Sequence, residues 1–152
     1  MIKGFFKFIG IGVLFLTILI VIAVIWGSSK QSSVEKLTLP YIENNLNTLL
    51  SWETSEIAVL MDKSVADEID PEQFKDTINY LSKLGEFRAS ESPQFINITS
   101  GATTELGAHS LITYQIPSIF ENGTGVVTLS LIVREEAITV HTLRINSDVF
   151  LN

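Results

Sequence analysis

Residues 111–134 read LITYQIPSIFENGTGVVTLSLIVR and contain two runs in which apolar and polar side chains alternate. The first run covers residues 112–116 and the second covers residues 127–133. A repeat of two residues is typical of strands with one buried face. Asn122-Gly123 lies between the runs, and this pair is a strong signal for a β-hairpin. The stretch therefore predicts two antiparallel strands joined by a tight turn.

The sheet is predicted to extend on both sides of this hairpin, because strand-favouring residues predominate from about Phe87 onward. Glu135-Glu136 suits the turn into the last strand. In that strand the apolar positions change parity between Val140 and Leu143. One inserted residue produces such a change, so we predict a β-bulge near His141 or Thr142. The sheet should have about four strands.

Helical patterns precede the sheet. Apolar residues recur at helical spacing from Thr38, or an earlier residue, to Leu50. A second, short helix carries the apolar positions up to Val65, and Ser55 is its candidate N-cap.

The clearest helix start is Asp70-Pro71, where an N-cap aspartate precedes a proline at the first helical position. Apolar residues from Phe74 to Leu84 line one face, and Gly85 is expected to end the helix in a left-handed conformation. Helices grouped before strands predict an α+β fold, with the helix from Pro71 to Leu84 packed on a curved antiparallel sheet.

Residues 8–26, FIGIGVLFLTILIVIAVIW, form an uncharged run long enough to cross a hydrocarbon core of about 30 Å. Lys3 and Lys7 precede it, so the positive-inside rule places the N-terminus in the cytoplasm. The alternative is a cleavable signal peptide, whose apolar core spans only about 7 to 15 residues. We therefore predict a single-pass protein of the cell inner (plasma) membrane, with its C-terminal domain periplasmic or extracellular.

The domain organisation follows from this anchor. We assign residues 1–27 to the cytoplasmic N-terminus and transmembrane anchor, residues 28–36 to a polar tether, and residues 37–152 to an α+β domain. Ala23 and Gly27 are four residues apart, a spacing that lets two membrane helices approach closely.

Composition excludes several classes of function. The chain has no cysteine, which rules out thiol catalysis and disulfides, and its formal net charge is -7. All 17 acidic residues follow the apolar run. An acidic domain repels phosphate backbones, so we expect no nucleic-acid binding.

Three features carry a family resemblance: Leu84-Gly85 before the sheet, Tyr114 in a strand leading to Phe120-Glu121-Asn122-Gly123, and a final Ile145-Asn146-Ser147. With them, the segment from Leu37 to Ser147 resembles the nuclear-transport-factor-two-like, or cystatin-like, roll found in small membrane-anchored domains of unknown function. Related domains often enter the last strand through glycine and tryptophan, where this chain has Glu135-Glu136-Ala137-Ile138. Such rolls include isomerases, dehydratases, ligand-binding modules and assembly subunits, so the resemblance alone selects no function.

Candidate site residues are few. His109 and His141 are the only histidines, and their separation does not match a metal-ligand motif. We predict no catalytic residue, no metal ligand and no cofactor. A possible pocket at the open end of the roll would be lined by Trp52, Phe74, Tyr114 and His141. Tyr114 and His141 are the pair that an enzyme on this roll would use.

These observations favour a non-enzymatic accessory or assembly subunit. The anchor would hold it in the lipid bilayer beside a membrane complex, and its acidic domain would bind a protein partner of that complex. The alternatives are a small-molecule-binding module and an isomerase or dehydratase-type enzyme. The sequence leaves the oligomeric state open.

Overall fold

The computed structural model describes residues 32–103, 107–135 and 137–151. The predicted anchor at residues 8–26, together with Ala23 and Gly27, lies outside them. Within the described residues, no helix is both long enough and apolar enough to span a bilayer. From Thr38 onward the chain forms one compact unit.

Helices occupy the first part of the described chain. Helix α1 covers residues 32–49, α2 is Thr54–Leu60, α3 is Lys63–Ala66, and α4 is Pro71–Leu81, which continues into a 3-10 turn at Ser82–Leu84. Helix α1 therefore already includes residues 32–36 of the predicted tether.

The start of α4 is confirmed. Oδ1 of Asp70 accepts hydrogen bonds from the backbone N–H groups of Glu72 at 2.8 Å and Gln73 at 3.3 Å. These bonds satisfy two amides that have no partner inside the helix.

The prediction of one short second helix capped by Ser55 is wrong. Ser55 lies inside α2, whose N-cap residue Glu53 makes no capping bond through its side chain. The chain then leaves the helical conformation at Met61, and Asp62 caps a separate helix, α3.

An antiparallel sheet of five strands follows, rather than about four. The strands are β1 (Phe87–Ser90), β2 (Gln94–Thr103), β3 (Gly107–Phe120), β4 (Gly123–Arg134) and β5 (Ala137–Asn146). The order is β1-β3-β4-β5, and β2 pairs with the other half of β3, on the same side as β1. Pro93 lies in the break between β1 and β2, where its missing N–H prevents one continuous strand.

The predicted hairpin and bulge are both confirmed. Phe120 pairs with Gly123, so Glu121 and Asn122 form the tight turn between β3 and β4. Between β4 and β5, Leu131 pairs with Val140 and Ser130 pairs with Thr142, which leaves His141 as the inserted residue of a bulge.

The two faces of the sheet differ sharply in burial. The inner face is the hydrophobic core, where Ile112, Ile116, Val127, Leu129, Leu131 and Val140 are all fully buried. Helix α1 covers it with its own buried residues Ile42 and Leu49. Most of the alternate side chains are partly or largely exposed and form what we call the outer sheet face: Thr113, Gln115, Pro117, Ile119, Thr124, Val126, Thr128, Ser130, Arg144 and Asn146. The alternation in β4 continues to Ile132, which is buried, and to Arg134, which pairs with Asp62.

Candidate functional site

An apolar cavity of about 290 Å³ lies between α4 and β5 and is closed at one end by α2 and α3. Phe74, Ile78 and Leu81 of α4 face His141, Thr142 and Leu143 across it. The remaining lining residues are Ile57, Met61, Val65, Ile69, Gln73 and Thr77. None of the lining side chains is charged, so the site suits an uncharged, largely apolar ligand.

A second cavity of about 390 Å³ adjoins the first. Met61, Ile69 and Phe74 line both spaces, so these three side chains form the wall between them. Methionine has a flexible thioether side chain that adapts to irregular space. The two cavities together are of the size of small-molecule sites, which typically measure about 300 to 1,000 Å³.

The position of His141 results from the β-bulge in β5. As the inserted residue of β5, it does not follow the strict in-and-out alternation of the strand. Its Nδ1 atom is buried and makes no hydrogen bond with any described residue. A buried polar atom without a partner costs about 1 to 3 kcal/mol.

Asp62 holds the Met61-Asp62 segment against β5. Its backbone N–H donates to the Val140 carbonyl at 2.7 Å, and Met61 pairs with Val140 in a parallel bridge. Oδ2 of Asp62 accepts hydrogen bonds from Arg134 Nη1 at 2.6 Å and Thr139 Oγ1 at 2.7 Å. Because Met61 lines both cavities, the bonds that hold Asp62 against β5 also fix the position of Met61 in the cavity wall.

The carboxylate of Asp62 is strongly favoured in its charged form. The hydrogen bond from Arg134 holds the pKa of Asp62 far below its usual range, and bonds from Ser64 and Thr139 lower it further against the opposing effect of burial. The same contact raises the pKa of Arg134. The ion pair therefore stays charged at neutral pH and has a structural role.

The four predicted pocket residues fall in different places. Phe74 and His141 face each other across the first cavity, whereas Trp52 and Tyr114 line neither cavity. Nε1 of Trp52 donates to the Gly85 carbonyl at 2.8 Å, and its ring lies 5.9 Å from that of Phe120. Trp52 therefore joins the end of α1 to the start of the sheet.

Tyr114 is a core residue with no exposed surface. Its hydroxyl lies 2.6 Å from Oγ1 of Thr38 on α1, and its ring packs edge-on against Phe95 of β2. The structure therefore does not bring Tyr114 and His141 together as an acid–base pair, and it gives Tyr114 the role of joining α1 to β3.

The change Tyr114→Phe tests this role. It should lower the free energy of unfolding by about 1 kcal/mol, since it removes one buried hydrogen bond and keeps the ring. Chemical denaturation followed by circular dichroism measures the effect, with Tyr80→Phe as the control because Tyr80 is 45% exposed. Combined with Thr38→Val, the change should cost less than the sum of the two single changes. Strict additivity would contradict the proposed contact.

Sequence reasoning missed Met61, Ile69 and Asp62. Met61 lies within the apolar pattern predicted for the second helix, which ends at Val65, and no local feature of the sequence marks Ile69 or Asp62 as part of a site. Asp62 does cap α3, through Ser64 N–H at 3.1 Å. Its bonds to β4 and β5 have no signal in the local sequence.

Comparison with known proteins adds no family assignment: no protein-family model, no curated protein and no solved structure matches this chain. The fold and the cavity define it as an α+β domain with a helix-covered antiparallel sheet and an uncharged apolar site.

Proposed function

We propose that this chain is a non-enzymatic accessory or assembly subunit of a membrane complex. Residues 8–26 anchor it in the cell inner (plasma) membrane, and its extracytoplasmic domain binds a protein partner through the outer sheet face and the adjoining edge of β2. The observation that carries this proposal is the distribution of charge over the domain.

Acidic residues are absent from the sheet. The chain has 17 of them, yet none lies in any of the five strands. Among the residues named as the outer sheet face Arg144 is the one charged residue, and the charge of Arg134 at the end of β4 is paired with Asp62. The face also presents Ile119 and Val126, which are 52% and 37% exposed. In an otherwise acidic protein, such a face avoids the repulsion and desolvation that carboxylates would impose on an interface.

The edge of β2 extends this uncharged surface. Residues 92–103 contain no charged side chain, and Ile96, at a bulge in β2, is 47% exposed. Among the described residues, β2 pairs with β3 alone. Edge strands usually carry charges that prevent pairing with other chains. An uncharged edge beside an uncharged face supports binding of a protein surface there.

The membrane and family assignments belong to the same proposal. The uncharged run at residues 8–26 supports an anchor, and the helices on the inner face of the sheet support the resemblance to the cystatin-like roll. A non-enzymatic role is supported by the burial of Tyr114 and its bond to Thr38, which occupy the hydroxyl that an acid–base pair would need.

The test is extraction of the full chain from native membranes in mild detergent, followed by measurement of its native mass. Wild type should migrate as part of a larger assembly, and the double variant Ile119→Glu, Val126→Glu should migrate alone, because two carboxylates would be buried at the interface. Val59→Glu is the matched control. Val59 is 82% exposed on α2 and is not part of the outer sheet face, so this variant should behave like wild type.

Three outcomes would overturn the proposal. Wild type could emerge as a free monomer, or the double variant could stay in the assembly. A salt wash that released mature protein lacking residues 8–26 would remove the anchor from the proposal as well.

A further inference from the structure

A groove of about 560 Å³ crosses the outer sheet face from β1 to the end of β5. Pro117 and Ile119 of β3 and Thr124 and Val126 of β4 form its floor. Ile119 and Val126 are the two exposed apolar residues of the proposed interface. The groove therefore lies within the protein-binding face, and what we infer about its occupant rests on the proposed function.

Carboxylates lie at the two ends of this groove. Glu91 follows directly after β1, and its backbone N–H donates to the Pro117 carbonyl at 2.9 Å. Asp148 lies at the opposite end, two residues after the last residue of β5. Both residues are exposed, and neither carboxylate forms an ion pair with another described residue. Arg144 of the outer sheet face does not line the groove. Negative charge at both ends is therefore left without a cationic partner in this part of the chain.

These charges determine the chemistry of the occupant. A free carboxylate attracts a cationic side chain and repels an anionic one, and the formal net charge of -7 favours the approach of a basic partner. Between the two ends, Ile119 and Val126 offer apolar surface on which an aliphatic side chain can be buried favourably. The occupant should therefore be basic at its ends and apolar at its centre.

The spacing of the strands sets the length of the occupant. The order β1-β3-β4-β5 contains three steps between strands, so at about 4.8 Å per step the two ends are about 14 Å apart. Alternate side chains of an extended segment point to the same side, and residues i, i+2 and i+4 span about 13 Å.

We infer that the protein partner binds through an extended segment in which one aliphatic residue lies between two basic residues at alternate positions. The aliphatic side chain packs on Ile119 and Val126. One basic side chain reaches Glu91 and the other reaches Asp148.

Charge reversal in the full chain tests this inference in native membranes. The double variant Glu91→Lys, Asp148→Lys should migrate without the assembly, because both ends of the groove would repel the basic side chains. The variant Glu68→Lys, Asp76→Lys is the matched control. It changes the net charge by the same amount at two exposed positions that do not line the groove, so it should stay in the assembly.

A defined peptide tests the same chemistry without the natural partner. The probe is fluorescein-labelled Ser-Lys-Thr-Leu-Thr-Lys-Ser, and fluorescence anisotropy follows its binding to the full chain in a non-ionic detergent. Binding should be saturable and should weaken as salt is added. It should weaken at least about tenfold in the charge-reversed variant and stay unchanged in the control variant. Peptides with glutamate in place of both lysines, or serine in place of leucine, should bind at least about tenfold more weakly than the probe.

A neutral variant separates loss of charge from loss of structure. Glu91→Gln, Asp148→Asn keeps the shape of both side chains, and it should weaken binding of the probe about threefold. Far-UV circular dichroism verifies that each variant is folded.

The inference is overturned if the charge-reversed variant stays in the assembly, if the control variant is released to the same extent, or if the probe binds wild type and the charge-reversed variant equally well. Retention of the charge-reversed variant, with release of Ile119→Glu, Val126→Glu, would overturn the basic segment and leave the proposed function in place. A wild-type chain that migrates as a free monomer would overturn both.

Discussion

Replacing Asp62 with alanine is expected to lower the free energy of unfolding by about 3 kcal/mol. The carboxylate is 3% exposed and accepts hydrogen bonds from Arg134, Thr139 and Ser64. Its removal leaves the Arg134 guanidinium, itself only 28% exposed, without its partner. It also weakens the attachment of Met61 to β5. Denaturant unfolding followed by circular dichroism measures the loss.

The stabilisation that Asp62 provides depends on pH, and the contact with Arg134 determines the direction of this dependence. Because the pKa of Asp62 is lower in the folded state than in the unfolded chain, its stabilising effect is complete above the unfolded value of about 3.9. The effect is lost as the pH falls through the lower folded pKa. The difference in stability between wild type and Asp62→Asn should therefore be largest at neutral pH and narrow on acidification below about pH 4.

Arg88→Ala is the control for this prediction. Arg88 forms ion pairs with Glu86 at 2.9 Å and Glu121 at 3.4 Å, but all three side chains are at least half exposed. Exposed pairs contribute little, so the change should cost less than 1 kcal/mol. Equal losses for Asp62→Ala and Arg88→Ala would show that burial of Asp62 does not strengthen its contact with Arg134.

The elements that the sequence predicted well are those encoded by neighbouring residues. The change of parity in β5 is visible within a few residues, and it correctly located the bulge at His141. The Asp70-Pro71 start of α4 is equally local. The division of the first part of the sheet into β1 and β2 was missed because both strands share the composition that favours extended structure. Their separation depends on pairing with different halves of β3.

Contacts between distant residues explain what the sequence could not predict about the site. Arg134 and Thr139 are 72 and 77 residues away from Asp62, so nothing near Asp62 distinguishes it from an ordinary helix cap. Alternation correctly placed Tyr114 on a buried face of β3. Whether such a residue fills the core or lines a cavity depends on where the helices cross the sheet, and Thr38 of α1 meets Tyr114 there.

The β3–β4 hairpin also depends on both neighbouring and distant residues. The Asn122-Gly123 pair predicted the hairpin, yet the turn is formed by Glu121 and Asn122, and neither has a positive φ. Asn122 instead binds the end of the 3-10 turn, donating from its side chain to the Lys83 carbonyl at 2.8 Å and from its backbone to that of Leu84 at 2.9 Å. A Cβ atom at Gly123 would lie 2.6 Å from Val149, so the glycine is required by close packing of the C-terminal segment.

Gly85→Ala is expected to lower the free energy of unfolding by about 3 kcal/mol. Gly85 has φ +76° and ψ -164°, which confirms the positive φ predicted for the end of the helix but differs from the left-handed helical ψ. This region is essentially restricted to glycine. In addition, an alanine Cβ would lie 2.8 Å from Cβ of Glu121, closer than such atoms approach. The chain or the β3–β4 turn would have to move.

Fluorescence of Trp52 detects structural change at position 85, because Trp52 donates a hydrogen bond to the Gly85 carbonyl. Trp26→Phe leaves Trp52 as the single tryptophan, and denaturant unfolding in that background gives both the stability and the local environment. Gly101→Ala is the matched control, because its added Cβ would meet the His109 ring at 3.6 Å, an ordinary contact, and should change stability by less than 1 kcal/mol. If the two alanine variants were equally stable, the conformation at Gly85 would not be the constraint that joins α4 to the sheet. A selective loss in Gly85→Ala, with a shift in Trp52 emission, would show that the backbone conformation at Gly85 contributes to the connection between the helices and the sheet.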